Sequence, residues 1–502
     1  MTFSTPIFFM IFLPLCLAGF AVAGRFGRRA MVTCLVLASL VFYAAWDAVY
    51  TLLLLASVVA NFLFAARIAR STRGSRAQRL WLVAGIVSNL ALLCYYKYLF
   101  PLLNFFTRLG LTHRHWASVV LPLGISFFTF TQIAYLIDLK QGVAQRESLG
   151  NYALFVTFFP HLIAGPILHH KEIMPQLREE RRYRLDANDL ALGLTWFTMG
   201  FFKKTLIADR ISPMADALFA KPYTAGATTT WHGVLVYAMQ LYFDFSGYSD
   251  MAIGLARMFS IRFPMNFNSP YKATSVLDYW QRWHMTLTRY IMAYLYSPMQ
   301  MWVSRRRMDS GKKVSRKAQA TIDGFAQMVA APTLVTLFIA GVWHGAGVQF
   351  LLYGLLHGTY LTLNHAWRTF VPEHSRLRKL MVMPVAVTIT FICVIIGDVM
   401  FRAGSVRNAC TVYAGMLGHH GVGKPVALND VLLIAVLLAI VFTMPNTQEI
   451  LGAAQKEDEP NWSAAPHLRW RTSWPWCAAT AAAILLCIAY STASSTFLYF
   501  QF

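Results

Sequence analysis

Charge is scarce in this chain. Asp, Glu, Lys and Arg make up 13% of its 502 residues, and hydrophobic residues make up 57%. A soluble domain of ordinary composition carries about 25% charged residues, so an ordinary soluble fold is excluded. Acidic residues are the scarcer sign: 22 Asp+Glu against 44 Lys+Arg, a net charge of +22. Such an excess suits nucleic acid, but its placement argues otherwise. ARIARSTRGSRAQR (66–79) holds five arginines and SRRRMDSGKKVSRK (304–317) holds seven Lys or Arg, both between apolar runs. Short basic loops of that kind are the cytoplasmic loops of membrane proteins, strengthened by anionic lipid. Membrane lipid is therefore an expected partner and nucleic acid is not. The seven cysteines are scattered and form no C-x-x-C, which removes a disulfide framework or a cysteine metal site. H-E-x-x-H, a Walker loop and G-x-S-x-G are also missing. No bound cofactor or metal is expected.

What is present is apolar runs of about 20 residues, such as TPIFFMIFLPLCLAGFAVAG (5–24), the thickness of a bilayer's hydrocarbon core. The runs are continuous and lack the dyad alternation of a membrane β-barrel. The fold class is an all-α polytopic membrane protein. Roughly 11–14 membrane segments are expected, including re-entrant or interfacial helices around a central cavity. No repeat or separate soluble domain is visible, so residues 1–502 read as one domain. The first run ends in AVAG, like a signal-peptidase site. It lacks a basic n-region and is followed by RFGRR, so it reads as a retained helix. Basic loops at 24–30, 66–79 and 303–317 on the cytoplasmic side place the N-terminus outside.

Three tracts combine membrane-like hydropathy with residues that carry chemistry. FFPHLIAGPILHH (158–170) contains Pro160, Gly165 and Pro166, which break helical hydrogen bonding. A full crossing here would export the basic stretch 169–184, so a re-entrant or interfacial segment is expected, its helix breakers lining a cavity rather than marking a packing defect. His169 and His170 read as interfacial. The second tract, 241–288, carries Asp244 and Asp250, then FPMNFNSPY with Asn266 and Asn268, then DYWQRWH. In helical form the last motif places Trp280 and His284 on one face and pairs Asp278 with Arg282 at i,i+4. The third tract is GVWHGAGVQF (341–350), where His344 sits in an apolar, glycine-rich run. Ionisable groups at membrane depth are rare and mark function by default. A neutral imidazole there can accept a hydroxyl proton. Gly341 and Gly345 either admit a packed helix or leave room beside the ring. The candidate catalytic residues are His344 and His284. The candidate substrate contacts around them are Trp343, Trp280, Trp283, Asp250, Asn266 and Asn268.

FFPHLIAGPI, YFDFSGYSDMAIGLARMF, FPMNFNSPY, DYWQRWH, GVWHGAG, FRAGS (401–405) and PNTQEI (445–450), with VLPLGISFFTFTQIAYLID (120–138), together resemble the membrane-bound O-acyltransferases. The likeness is to the bacterial branch that includes alginate O-acetylation and teichoic-acid D-alanylation proteins. The motifs fall in the family's order between about 120 and 450. The resemblance implies acyl transfer to a hydroxyl, with His344 as the family's catalytic histidine and His284 as its second member. It implies an acyl thioester donor from the cytoplasm, acetyl-CoA or an acyl carrier protein. It also implies an extracytoplasmic polysaccharide acceptor or a periplasmic acyltransferase as relay partner, in a bacterial inner membrane. On that reading His344 is the general base, and His284 orients a substrate or donates a hydrogen bond to the oxyanion. One stretch departs from the alginate type: HMTLTRYIMAYLYSPMQMW (284–302) lacks the aspartate before Tyr-Leu-Tyr and the glycine pair. Alginate as acceptor therefore does not follow. Two other classes fit the buried polar residues: a polysaccharide or lipid transporter or channel, and a non-catalytic scaffold of an export complex.

Overall fold

Long apolar runs interrupted by Gly, Pro and short basic loops can satisfy their backbone in a membrane only as helices, and helices are what forms. The computed structural model describes residues 2–117, 119–452, 468–491 and 497–498, and these contain helices and no strand. Five helical stretches are long and apolar enough to cross a membrane: Phe8–Arg25, Ala48–Arg70, Arg76–Thr107, Ile322–His344 and Met383–Arg402. Leu428–Thr443 and Trp474–Tyr490 are apolar but shorter. Other expected segments are helices that carry polar side chains, such as the 32-residue Ala227–Met258 with its two aspartates. The basic loops fall at helix ends. Ser71–Ser75 separates two helices, the second capped by the Ser75 hydroxyl accepting from Gln78 N.

The chain forms two units, each discontinuous in sequence. The first comprises residues 1–206, 244–265 and 447–501. Its helix Ala187–Phe202 packs on the second half of Ala227–Met258, and glycines set their separation. A Cβ on Gly193 would stand 2.6 Å from the Gly254 carbonyl, and one on Gly200 2.5 Å from that of Gly247. Only glycine permits backbones so close. Beside this crossing lie two ion pairs, a half-buried Lys203–Asp250 at 2.6 Å and a buried Lys204–Asp244 at 2.7 Å.

The proline-glycine tract lies in this unit. The helix Leu149–Thr157 stops, Phe158 turns the chain (ψ 112°), and a single turn, Phe159–Leu162, follows. Residues 158–170 are all buried. The rings of Phe8, Phe12, Phe42 and Phe259 surround Phe159, and His161 Nε2 meets the Phe155 carbonyl at 2.9 Å. The irregular backbone is thus packed in protein. His169 and His170 are buried in the protein, and His170 Nδ1 lies 3.2 Å from Asp138 Oδ2.

The second unit comprises residues 207–243 and 266–446. Its centre is a helical hairpin, Ala331–His344 followed by Val348–Phe370. The arms cross at Gly341 and Gly354, where a Cβ on either would sit about 3 Å from the other's Cα. The Phe350 ring fills the space beside Gly345. Packing therefore accounts for Gly341 and Gly345 of the GVWHGAG motif.

Candidate active site

Every residue described here up to Asp250 belongs to the second unit. The site begins with a turn. The Ser275 hydroxyl caps the helix Val276–Trp280 by accepting from Asp278 N at 3.1 Å. Asp278 in turn accepts from Arg282 Nε at 2.7 Å, the expected ion pair. The helix ends at Trp280, however, and the chain does not carry Trp280 and His284 on one helical face. Asn268 N donates to the Arg282 carbonyl and Met285 N to the Asn266 carbonyl, each at 2.9 Å. These two bonds pull residues 282–285 onto the extended 266–268 segment.

His284 absorbs the change of direction with φ 42° and ψ 52°. A non-glycine residue in the left-handed region carries strain of roughly 1 kcal/mol or more. Asn266 holds it there. Its Oδ1 lies 3.0 Å from His284 Nδ1 and accepts from Thr286 Oγ1 at 2.9 Å and, at 3.4 Å, from Thr286 N. A backbone N–H can only donate, so the atom facing it is the amide oxygen. His284 must therefore carry its proton on Nδ1, and Nε2 presents a lone pair. In the neutral ring, then, Nε2 accepts a hydrogen bond and does not donate one to an oxyanion.

His344 is the last residue of its helix, and Gly345 leaves it extended. Its buried ring is bounded by Trp343 (centroids 4.8 Å), by Phe401 edge-on at 5.1 Å and by Tyr353 edge-on at 5.7 Å. Phe401 comes from the FRAGS motif and packs with Phe350 and Tyr353 in one apolar cluster. Four residues beyond Tyr353 on the same helix stands His357, its ring 4.6 Å from Tyr353. His357 Nδ1 accepts from the Trp280 indole N–H at 3.3 Å. The rings of His344, Tyr353, His357 and Trp280 thus form one continuous row that reaches the turn bearing His284.

The remaining candidates take clear places. Trp283 stacks on Tyr279 at 5.7 Å and meets Phe267 edge-on at 5.0 Å. The Asn268 side chain accepts from Asn446 Nδ2 at 3.1 Å, and Asn446, of the PNTQEI motif, also donates to Ser269 Oγ. Asn268 is therefore engaged in fastening this loop. Asp250 lies in the first unit, where Lys203, Thr447 and the Trp196 indole all donate to its carboxylate. Sequence reading missed three residues: Tyr353, His357 and Asp398. Asp398 is 4% exposed on the helix Met383–Arg402. It lies near enough to Tyr271, Tyr279 and Tyr353 to act on them electrostatically, and its Oδ2 has no hydrogen-bond partner among the described residues. The available signal was the Tyr-x-x-x-His spacing at 353–357, which puts both rings on one helix face. Among the described residues no three His, Cys, Asp or Glu side chains gather as a metal ion's ligands.

The family described as MBOAT, membrane-bound O-acyltransferase, matches residues 93–311. A peptidoglycan O-acetyltransferase of Helicobacter pylori is 35% identical over all of this chain and 97% of its own length. A probable alginate O-acetylase of Pseudomonas aeruginosa is 36% identical over 83% of this chain and 75% of its own. A teichoic acid D-alanyltransferase of Streptococcus thermophilus is 25% identical over 49% of this chain.

Proposed function

The chain belongs to the membrane-bound O-acyltransferase family, and from that premise we propose the chemistry of its reaction and the substrates it joins. It is a membrane O-acyltransferase. The acyl group is acetyl, and the acceptor is a hydroxyl of an extracytoplasmic polysaccharide, received directly or through a periplasmic relay protein. The names of its relatives support this: of two matched along essentially their whole length, one is named for peptidoglycan and the other for alginate. The donor is an acyl thioester from the cytoplasm, acetyl-CoA or an acylated carrier protein, and the chain lies in a bacterial inner membrane.

The observation that carries the mechanism is the pair of buried imidazoles, His284 in a fixed tautomer and His344 among aromatic rings. His344 takes the proton of the acceptor hydroxyl. The oxygen adds to the thioester carbonyl, the C–S bond breaks, and the imidazolium returns its proton to the departing thiolate. The products are an O-acetyl ester and a free thiol, with no net change in protons. His284 Nε2 orients the acceptor by accepting from one of its hydroxyls. Water is held off by the rings around His344, so the thioester meets the intended hydroxyl first.

Purified protein supplied with an acetyl thioester and a soluble glycan tests this. Free thiol and O-acetyl ester should rise together in equal amounts. Absence of ester with both acetyl-CoA and an acetylated carrier protein would sink the reading.

A further inference from the structure

The helix Val348–Phe370 continues past His357 to Tyr360, Asn364 and Arg368, and leaves the histidine row for a second feature of the same unit. A cavity of about 760 Å³ opens there, lined by Ser275, Tyr360, Asn364, Arg368 and Arg378, with apolar side chains between them. That volume suits a drug-sized ligand. Two guanidinium groups line it and no carboxylate does. Arg378 is braced, its NH2 donating to the Arg368 carbonyl at 3.1 Å. Its nearest carboxylate is Glu373, 3.8 Å away and with a side chain 83% exposed. Arg378 Nε and Asn364 Oδ1 are buried with no hydrogen-bond partner among the described residues. Of these two, Arg378 Nε is the donor, and a buried donor left without an acceptor is costly, so a bound acceptor is expected to relieve it. A planar guanidinium with open N–H groups matches phosphate oxygens in particular.

At its inner end the cavity touches the catalytic row. The Tyr360 ring lies 5.7 Å from that of His357. Ser275 and Val276, also in the lining, start the short helix that ends in Trp280. A ligand whose phosphate sits on the arginines therefore has Tyr360 between itself and the histidines.

We propose that this cavity binds a phosphate-bearing ligand with an elongated uncharged arm, the phosphate on Arg368 and Arg378 and the arm along Tyr360. The phosphate site stands on its own geometry. Only the identity of the ligand rests on the acyl-transfer reading, under which it is the phosphorylated part of the thioester donor. An anionic phospholipid headgroup offers the same chemistry from a second source.

The test uses full-length protein in a nonionic, phosphate-free detergent with two probes. Free CoA binding is measured by equilibrium dialysis, with pantetheine, which lacks phosphate, as control. Phosphatidylglycerol binding is measured by native mass spectrometry. One probe should bind wild type and weaken about tenfold or more in Arg378→Gln, the loss expected for a charge-assisted hydrogen bond, and weaken further with salt. Arg368→Gln, at an exposed position, is the second variant should Arg378→Gln misfold. Arginine-dependent CoA binding that pantetheine does not share assigns the site to the donor. Arginine-dependent phosphatidylglycerol binding alone assigns it to lipid. Both outcomes support the phosphate site. Binding of neither probe, or binding unchanged in both variants, overturns it. His344→Ala should keep CoA binding, so a failed transferase reading and a failed phosphate site give different results.

Discussion

The indole N–H of Trp280 donates to Nδ1 of His357 at 3.3 Å, and that bond decides where the His357 proton sits. An imidazole nitrogen that accepts is unprotonated, so neutral His357 carries its proton on Nε2. Gly397 lies against that edge, where a Cβ would strike Nε2. His357 thus joins the turn that carries His284 to the helix whose Tyr353 packs on His344.

From this follows a prediction about positioning. His357→Asn keeps an acceptor near Nδ1, and His357→Phe keeps a ring but removes it. Asn should retain most transfer activity, whereas Phe should lower kcat/KM about tenfold, because small displacements of reacting groups are costly. Trp280→Phe removes the donor from the same bond. Combined with His357→Phe it should cost little more than either alone, since partners in one bond are not additive. Fully additive losses in the double-mutant cycle would show that the two residues act apart.

Asp250 gives a contrasting prediction. Three donors surround its carboxylate in the first unit, with the Lys203 ammonium at 2.6 Å. The pair is half-buried, so losing one partner should cost less than the about 3–5 kcal/mol typical of a fully buried pair. Asp250→Asn and Lys203→Met should each lower thermal stability in detergent, and the double variant should recover much of the loss. Activity per folded molecule should stay within about twofold, as expected of a carboxylate already engaged by three protein donors. A folded Asp250→Asn protein with a raised acceptor KM and unchanged stability would restore Asp250 as a substrate contact.

The orientation is open to a direct measurement. Residues 66–79 and 304–317 concentrate Arg and Lys and belong on the cytoplasmic side. Single cysteines at Ser71 and Ser310, in a background cleared of the seven native cysteines, should resist an impermeant thiol reagent in intact cells and react after permeabilisation. Labelling of both in intact cells would reverse the topology.

The helices and the family were legible because each rests on local pattern: run length, motif order and short polar motifs within apolar runs. What sequence could not supply was contact between distant segments. Asn446 lies far along the chain from Asn268, yet its side chain completes the FPMNFNSPY loop. Periodicity predicted a helix through His284, and the tertiary bonds of Asn266 overrode it with a left-handed residue. Asp250 reads as a site residue from a carboxylate in an apolar run, and its ion-pair partner is not visible from that run. That partner, Lys203, lies on another helix, 47 residues earlier in sequence. His357 was passed over because no motif frames it, although it shares a helix face with Tyr353.

The decisive prediction concerns His344. Its ring is buried among Trp343, Tyr353 and Phe401, so packing alone could explain it. General-base catalysis typically contributes 10²–10⁴-fold, so His344→Ala should cut acyl transfer by about 10² or more. Alanine also opens a cavity beside Phe401, which would lower stability and could disturb the row of rings. His344→Gln separates the two explanations, because the amide fills much of the same space and can hydrogen-bond but cannot take a proton. Both variants must first elute as folded, monodisperse protein with wild-type helicity. Ester formation is then measured at saturating donor, so that any loss reports the chemical step. Folded and inactive in both cases is the outcome expected of a proton acceptor. Activity that returns with Gln and not with Ala would make His344 a hydrogen-bonding strut, and would leave the Nε2 lone pair of His284 as the base to examine next.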